Sequence, residues 1–156
     1  DEPTTSLDVT TEATILDLMV DLKLRMNTGI LYVTHNLGAV ARVADRVAVM
    51  YAGRIVEQGN VRQIFNNPSH PYTEALINSV PKMEEKMDRL YSIPGQPPAL
   101  WDLPEGCRFA ERCQHARSIC HEEYPEVMDA GDDHTAACWM LHQSWDQTER
   151  EQEVTP

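Results

Sequence analysis

The chain opens with a polar stretch, after which apolar residues recur at helical spacing. This spacing predicts a helix from about Thr11 to Asn27, which Asp8 is well placed to cap and Gly29 to stop. The apolar positions of this helix are Ile15, Leu16, Met19, Leu22 and Met26.

Shorter apolar runs follow the first helix. The continuous run Ile30–Thr34 is typical of a buried parallel strand, and a short helix is expected from Asn36 to Ala44. Two strands, Arg46–Tyr51 and Arg54–Glu57, are expected to pair through a tight hairpin at Ala52-Gly53. The alternation of helices with apolar strands indicates an α/β fold.

The second half of the chain is less regular. A short helix is expected over Val61–Asn66, and a longer one from Tyr72 to Leu90 with a break at Pro81. Residues 91–106 contain four prolines and two glycines and are expected to form an extended linker. A cysteine-bearing segment (residues 107–142) follows, and the polar, acidic tail 143–156 is expected to be disordered.

Composition narrows the class of protein. With 156 residues, of which 42% are apolar and 24% charged, the chain has the profile of a globular protein with one modest core. No apolar run approaches the ~18 residues that span a bilayer. The formal net charge is −12, and residues 66–156 contribute most of it, with 17 acidic and 7 basic residues. This excess argues against nucleic acid or anionic lipid as a partner of that half.

The first eight residues read Asp-Glu-Pro-Thr-Thr-Ser-Leu-Asp. Two adjacent carboxylates suit phosphoryl transfer, because one holds the magnesium ion and the other orients or deprotonates the attacking water. The string resembles the magnesium-site segment of ABC-transporter ATPases. The resemblance implies that Asp1 serves Mg²⁺, directly or through water, and that Glu2 is the general base. Asp8 would then communicate across an ATP-sandwiched dimer.

A histidine follows the apolar run, in the string Val33-Thr34-His35-Asn36. An isolated histidine here would most simply be a hydrogen-bonded loop residue. The strings Ala44–Val47 and Gly53–Gly59 also resemble the ABC ATPases, however. By this resemblance, His35 corresponds to the histidine that contacts the γ-phosphate and bridges to the catalytic carboxylate. The resemblance therefore implies ATP and Mg²⁺ as cofactors.

Three later strings are similar to the ATP-binding subunits of oligopeptide and dipeptide ABC importers: Asn67–Thr73, Ile93–Pro98 and Gly106–Cys113. The resemblance covers residues 1 to about 140. It implies the C-terminal half of an ABC ATPase domain, with an incomplete sheet and flanking helices, plus a small cysteine-rich appendage. The 156 residues contain no G-x-x-x-x-G-K-[ST] phosphate loop, so we expect them to be inactive by themselves.

The predicted organisation has four parts. Residues 1–66 are the ATPase half-domain, 67–106 the importer extension and linker, 107–142 the cysteine segment and 143–156 the tail. The resemblance implies transmembrane permease subunits and a second ATP-binding subunit as partners. It also implies a cytoplasmic location on the inner face of the membrane, with membrane contact only through partners. The transported solute, whether peptide, nickel or another small molecule, is not specified by these residues.

The four cysteines of the chain, Cys107, Cys113, Cys120 and Cys138, have the spacing C-x5-C-x6-C-x17-C. The long, uneven gaps lack the short knuckles of structural zinc and suit a [4Fe–4S] cluster, which the resemblance also implies. Zinc remains open, since four histidines could complete a mixed site, and so do free thiols or disulfides. The histidines are His115, His121, His134 and His142. Arg108, Arg112 and Arg117 could offset thiolate charge or form a solvated face. The alternative function is an iron–sulfur or zinc-binding structural or regulatory module without catalytic activity.

Overall fold

The computed structural model describes residues 1–80 and 92–145. The chain divides into two compact units, residues 1–45 and the residues from 46 onward. Both helices and strands are present, in agreement with the predicted α/β class. Within the described ranges, every helix is too short or too polar to cross a lipid bilayer.

The first unit contains two helices, α1 (Val9–Met26) and α2 (Leu37–Val43). The predicted cap of α1 is confirmed, because the Asp8 side chain accepts from the backbone amides at the start of the helix. The helix ends at Asn27, whose left-handed conformation (φ 46°) closes the last turn. Asn36 caps α2 in the same way as Asp8 caps α1.

The predicted buried strand at Ile30–Thr34 is wrong. These residues form no strand, and Ile30, Leu31 and Val33 are 42%, 91% and 50% exposed. A strand needs hydrogen-bonded neighbours along its length. Within the described part of the first unit, the segment has one such backbone bond, from the Glu2 amide to the Val33 carbonyl (2.8 Å). The apolar run predicted that the segment is suited to burial, but in this structure the segment is not paired with a neighbouring strand.

The second unit is built on an antiparallel sheet with the strand order β1-β2-β4-β3. Its strands are β1 (Arg46–Tyr51), β2 (Arg54–Asn60), β3 (Met128–Gly131) and β4 (His134–Ala136). The predicted hairpin at Ala52-Gly53 is confirmed, and both turn residues have positive φ (45° and 82°), as a two-residue β-hairpin turn requires. The last two strands were not predicted. They join the cysteine segment to the hairpin through β2 and β4.

Short helices complete the second unit: α3 (Val61–Asn66), α4 (Pro71–Asn78) and α5 (Ser118–Glu122). Single 3-10 turns cover Ala110–Arg112 and Trp139–Leu141. The predicted α3 is confirmed. The predicted helix from Tyr72 begins at Pro71, while its continuation over 81–90 and most of the predicted disordered tail lie outside the described residues. Residues 92–106 contain no helix or strand.

The core of the second unit is shared between the hairpin and the cysteine segment. Val49, Tyr51 and Val56 from the sheet pack with Ile64 of α3 and with Phe109, all at least 92% buried. The Tyr51 and Phe109 rings meet edge to face, with centroids 5.2 Å apart. Because Phe109 lies between two of the cysteines in sequence, this packing fixes the start of the cysteine segment on the sheet.

Candidate functional site

The structure brings Glu2 and His35 together. The His35 Nδ1 lies 2.8 Å from the Glu2 Oε1, and the Thr5 hydroxyl donates to Glu2 Oε2 at 3.0 Å. These hydrogen bonds, that of His35 foremost, lower the pKa of the Glu2 carboxyl below its usual value. Glu2 is therefore an ionised carboxylate at neutral pH, hydrogen-bonded to an exposed imidazole.

The backbone at this contact has an unusual conformation. Glu2 and Ser6 both have left-handed φ angles (41° and 76°), which L-residues with side chains adopt at an energetic cost. The Glu2 amide donates to the carbonyl of Val33, two residues before His35. The turn that carries Glu2 and the loop that carries His35 are thus joined by one backbone and one side-chain hydrogen bond.

The remaining acids predicted for this site are not part of the Glu2–His35 contact. Asp1 is exposed at the start of the sequence. The Asp8 carboxylate accepts from the amides of Thr10 and Thr11 (3.1 and 3.0 Å) and from the Thr11 hydroxyl (2.6 Å). The Thr11 hydroxyl is the main cause of the lowered pKa of Asp8. In this structure Asp8 acts as the cap of α1.

Sequence reasoning missed Glu12, which hydrogen-bonds to residues next to the Glu2–His35 contact. The Glu12 Oε1, in the first turn of α1, accepts from the Thr4 hydroxyl (2.9 Å) and from the Asn36 side-chain amide (3.1 Å). The Thr4 hydroxyl also lies 3.0 Å from that of Tyr32. An acid in the first turn of a helix is commonly explained by the helix dipole, and nothing in the sequence distinguishes Glu12 from that ordinary role.

All four cysteines line one small cavity of about 20 Å³, together with the side chains of Phe109, Trp139 and other mostly apolar residues. The backbones of Cys107 and Cys120 are in direct contact, since the Cys107 amide donates to the Cys120 carbonyl at 2.7 Å. Gly106 permits this approach, because a Cβ at that position would lie 2.4 Å from the same carbonyl oxygen. The fold therefore gathers cysteines that are widely spaced in sequence.

The cysteines are unpaired thiols in this structure. Burial raises the pKa of Cys107 and Cys113, and that of Cys138 to about 12, with the neighbouring sulfurs adding to the shift. Among residues 1–80 and 92–145, no group of three or more Cys, His, Asp or Glu side chains is arranged to hold a metal ion. The four side chains thus surround a cavity without meeting at a single-ion site.

Comparison with known proteins identifies the family. Residues 56–120 match the model for the C-terminal region of oligopeptide/dipeptide transporter proteins. A probable peptide ABC transporter ATP-binding protein of Sinorhizobium fredii is 53% identical over 144 residues, covering 92% of this chain and 43% of that protein. The chain belongs to the family of peptide ABC transporter ATP-binding proteins.

Two further relatives of this peptide-transporter family carry more specific names. A dipeptide transport ATP-binding protein of Lactococcus lactis is 50% identical over 141 residues. The match covers 90% of this chain and 40% of that protein. An oligopeptide transport ATP-binding protein of Bacillus subtilis is also 50% identical, and the match covers 91% of this chain and 40% of that protein. The chain thus spans about two fifths of the length of the curated relatives it matches. The predicted resemblance to oligopeptide and dipeptide importer subunits is confirmed.

Sequence reasoning also missed a buried contact between a glutamate of β2 and a histidine of β4. The Glu57 side chain is completely buried and accepts at 2.7 Å from His134 Nε2 of β4. It also accepts from the backbone amides of Ser69 (2.7 Å) and His70 (3.0 Å), at the start of α4. Glu57 therefore joins β2, β4 and the His-Pro-Tyr turn of this family at one point.

The histidines considered for a mixed zinc site mostly contact other groups. His134 pairs with Glu57, His121 lies 3.3 Å from Glu111, and His142 contacts the Ser144 hydroxyl. Only His115 of the four lines the cysteine cavity. A different histidine, His70, also lines it; burial lowers its pKa to about 4, and it is neutral at physiological pH.

The three arginines of the cysteine segment bind carbonyl groups and aromatic rings. Arg108 donates to the Ala52 carbonyl in the hairpin turn, and Arg112 donates to the carbonyls of Ile93 (3.1 Å) and Pro94 (2.8 Å) in the linker. Arg117 donates to the Trp145 carbonyl and stacks over the Trp145 ring. These contacts fasten the linker and the hairpin to the cysteine segment.

Proposed function

We propose that the full-length protein is an ATP-hydrolysing subunit that energises the import of peptides or similar small solutes through an ABC transporter. The observation that carries this proposal is the 2.8 Å contact between Glu2 and His35. It joins an ionised carboxylate to an imidazole in a chain about half identical to peptide-transport ATP-binding proteins. Since the chain spans two fifths of those relatives, the activity belongs to the whole protein.

Each residue of the predicted site has a role in this proposal. Asp1 serves the magnesium ion, which neutralises charge on the ATP phosphates when bound. The Glu2 carboxylate orients the attacking water and accepts its proton. His35 binds Glu2 through Nδ1 and is left with Nε2 for the γ-phosphate. Asp8 communicates with the second ATP-binding subunit across the dimer.

The partners follow from the same role. They are transmembrane permease subunits, a second ATP-binding subunit and the transported peptide or small solute. The protein would work at the cytoplasmic face of the membrane and contact it through the permease. The 156 residues lack the phosphate loop, so we expect nucleotide binding to require the full-length subunit.

The transport proposal predicts that uptake depends on ATP hydrolysis. The full-length subunit, reconstituted with its permease partners in vesicles, should accumulate labelled di- and oligopeptides only with ATP and Mg²⁺. A non-hydrolysable ATP analogue and chelation of Mg²⁺ serve as controls, and both should stop uptake. Peptide uptake of equal rate without ATP, or ATP hydrolysis that no peptide or solute stimulates, would contradict the proposal.

We also propose that Cys107, Cys113, Cys120 and Cys138 hold a [4Fe–4S] cluster. The supporting observation is that all four line one mostly apolar cavity. The irons of a cluster accept ligands that are farther apart than the ligands of one zinc ion. Such a cluster would cross-link four points of the segment and accept or release an electron, in a structural or redox-sensing role.

The cluster proposal predicts a coloured protein. After anaerobic purification, the full-length protein should absorb in the visible range and contain about four iron atoms per chain. Cys120→Ser should lower the iron content, whereas Ser118→Ala, on the same short helix, should not. A colourless protein with one zinc per chain would assign the cysteines to zinc, and a metal-free protein would leave them as free thiols. Either result would overturn the cluster.

A further inference from the structure

We propose that Glu12 is a positioning residue for ATP hydrolysis, which holds the turn that carries Glu2 at a fixed distance from the loop that carries His35. This inference rests on the proposed ATPase function. Glu12 is on α1 and hydrogen-bonds to Thr4 and Asn36, so its effect on Glu2 and His35 acts through these neighbours.

One oxygen atom connects the two loops. The Glu12 Oε1 accepts from the Thr4 hydroxyl at 2.9 Å and from the Asn36 side-chain amide at 3.1 Å. Thr4 lies two residues after Glu2, and Asn36 directly follows His35. The position of this single carboxylate oxygen therefore constrains both residues of the 2.8 Å contact.

The donors of this network can be assigned from the chemistry. The Thr4 hydroxyl donates its one proton to Glu12 Oε1. The second contact of Thr4, with the Tyr32 hydroxyl at 3.0 Å, then has Tyr32 as its donor. Tyr32 lies three residues before His35, and Thr4 is only 6% exposed. The network thus secures the His35 loop on both sides of the histidine.

Asn36 transmits the constraint to the helix after the histidine. Its side-chain oxygen accepts from the amides of Gly38 (3.0 Å) and Ala39 (3.2 Å), while its side-chain nitrogen donates to Glu12. The backbone amide of Asn36 donates to the Thr34 hydroxyl at 3.0 Å. Because both ends of its side chain are used, Asn36 cannot shift without disturbing either α2 or α1. The intervening His35 is held accordingly.

Two variants of Glu12 distinguish the effect of its hydrogen bonds from the effect of its charge. In the full-length subunit with its permease partners, Glu12→Ala should lower the kcat of ATP hydrolysis about 10- to 100-fold, the loss typical of a displaced catalytic group, and leave KM for ATP nearly unchanged. Glu12→Gln keeps an oxygen that accepts from Thr4 and Asn36, and it should restore most of the rate. A mere dipole or surface-charge role would make the two variants equally slow.

A matched control lies on the same helix. Asp21 is an acid of α1 that pairs with Arg25 at 2.7 Å, and Asp21→Ala should leave kcat unchanged. Thr4→Val removes the other end of the hydrogen bond and should slow hydrolysis similarly, and the Thr4→Val/Glu12→Ala double variant should be little slower than either single variant. Thermal unfolding of every variant reports whether stability follows activity.

The outcomes distinguish this inference from the function on which it rests. If the unchanged full-length subunit with its permease partners hydrolyses no ATP, the ATPase assignment itself is overturned. Near-normal hydrolysis by Glu2→Gln would instead remove Glu2 as the base. An inactive Glu2→Gln with a normal Glu12→Ala would overturn only the role of Glu12. So would equal losses in Glu12→Ala and Glu12→Gln, additive losses in the double variant, or a loss of kcat that follows the unfolding temperature across all variants. Rescue by glutamine with non-additive losses supports the role.

Discussion

Replacing Glu2 with glutamine in the full-length subunit is expected to slow ATP hydrolysis about 10²–10⁴-fold and to leave ATP binding intact. Glutamine has the size of glutamate, and its oxygen still accepts from His35. It carries no charge and accepts no proton, so the attacking water loses its base. The measurement is a pair of assays on the same preparation, of steady-state hydrolysis and of ATP binding with Mg²⁺.

The control for this variant is Glu74→Gln, the same change at an exposed position in the first turn of α4. It should alter neither ATP binding nor hydrolysis. If Glu2→Gln hydrolyses ATP at nearly the normal rate, Glu2 is not the base. If it loses ATP binding as well, its main role is in binding and not in the chemical step.

Replacing Glu57 with alanine should destabilise the second unit by about 3–5 kcal/mol, because each buried hydrogen-bonding group left without a partner costs about 1–3 kcal/mol. The change leaves the amides of Ser69 and His70 and the His134 ring without their acceptor, in a place that water does not reach. Hydrogen exchange provides the measurement. The Ala137 amide, bonded to the Val56 carbonyl at 2.9 Å, should exchange much faster in the variant.

An exposed glutamate–histidine pair in the same protein serves as the control. Glu111 lies 3.3 Å from His121, but its side chain is 82% exposed. Glu111→Ala should change the stability by less than about 1 kcal/mol, because solvent screens exposed pairs. Similar losses in the two variants would mean that the burial of Glu57 has no special importance.

Local signals in the sequence predicted local structure well. The Asp8 cap, the apolar spacing of α1 and the hairpin at Ala52-Gly53 each depend on residues close together in the chain, and each is confirmed. The Glu2–His35 pairing was expected only because two strings resembled one family. No physical rule links positions 2 and 35 without the backbone that brings them together.

Features that depend on distant residues were missed or wrong. The run Ile30–Thr34 has the composition of a buried strand, but strand formation needs a paired neighbour that composition does not reveal. Glu57 occupies a strand position that reads as solvent-facing, and its burial depends on His134, 77 positions away. Strands β3 and β4 are short and contain polar residues, so periodicity gave no signal for them.

The pairing of β2 with β4 has a consequence for the order in which the chain acquires its structure. The hairpin of β1 and β2 closes locally, whereas β4 pairs with β2 only at Glu57↔Ala136 and Gln58↔Thr135. Closing so long a loop is slow compared with forming a hairpin. During synthesis, the β2 edge remains unpaired and Glu57 lacks its His134 partner until residues 134–136 have left the ribosome. In that interval, the nascent hairpin offers an open edge to other chains.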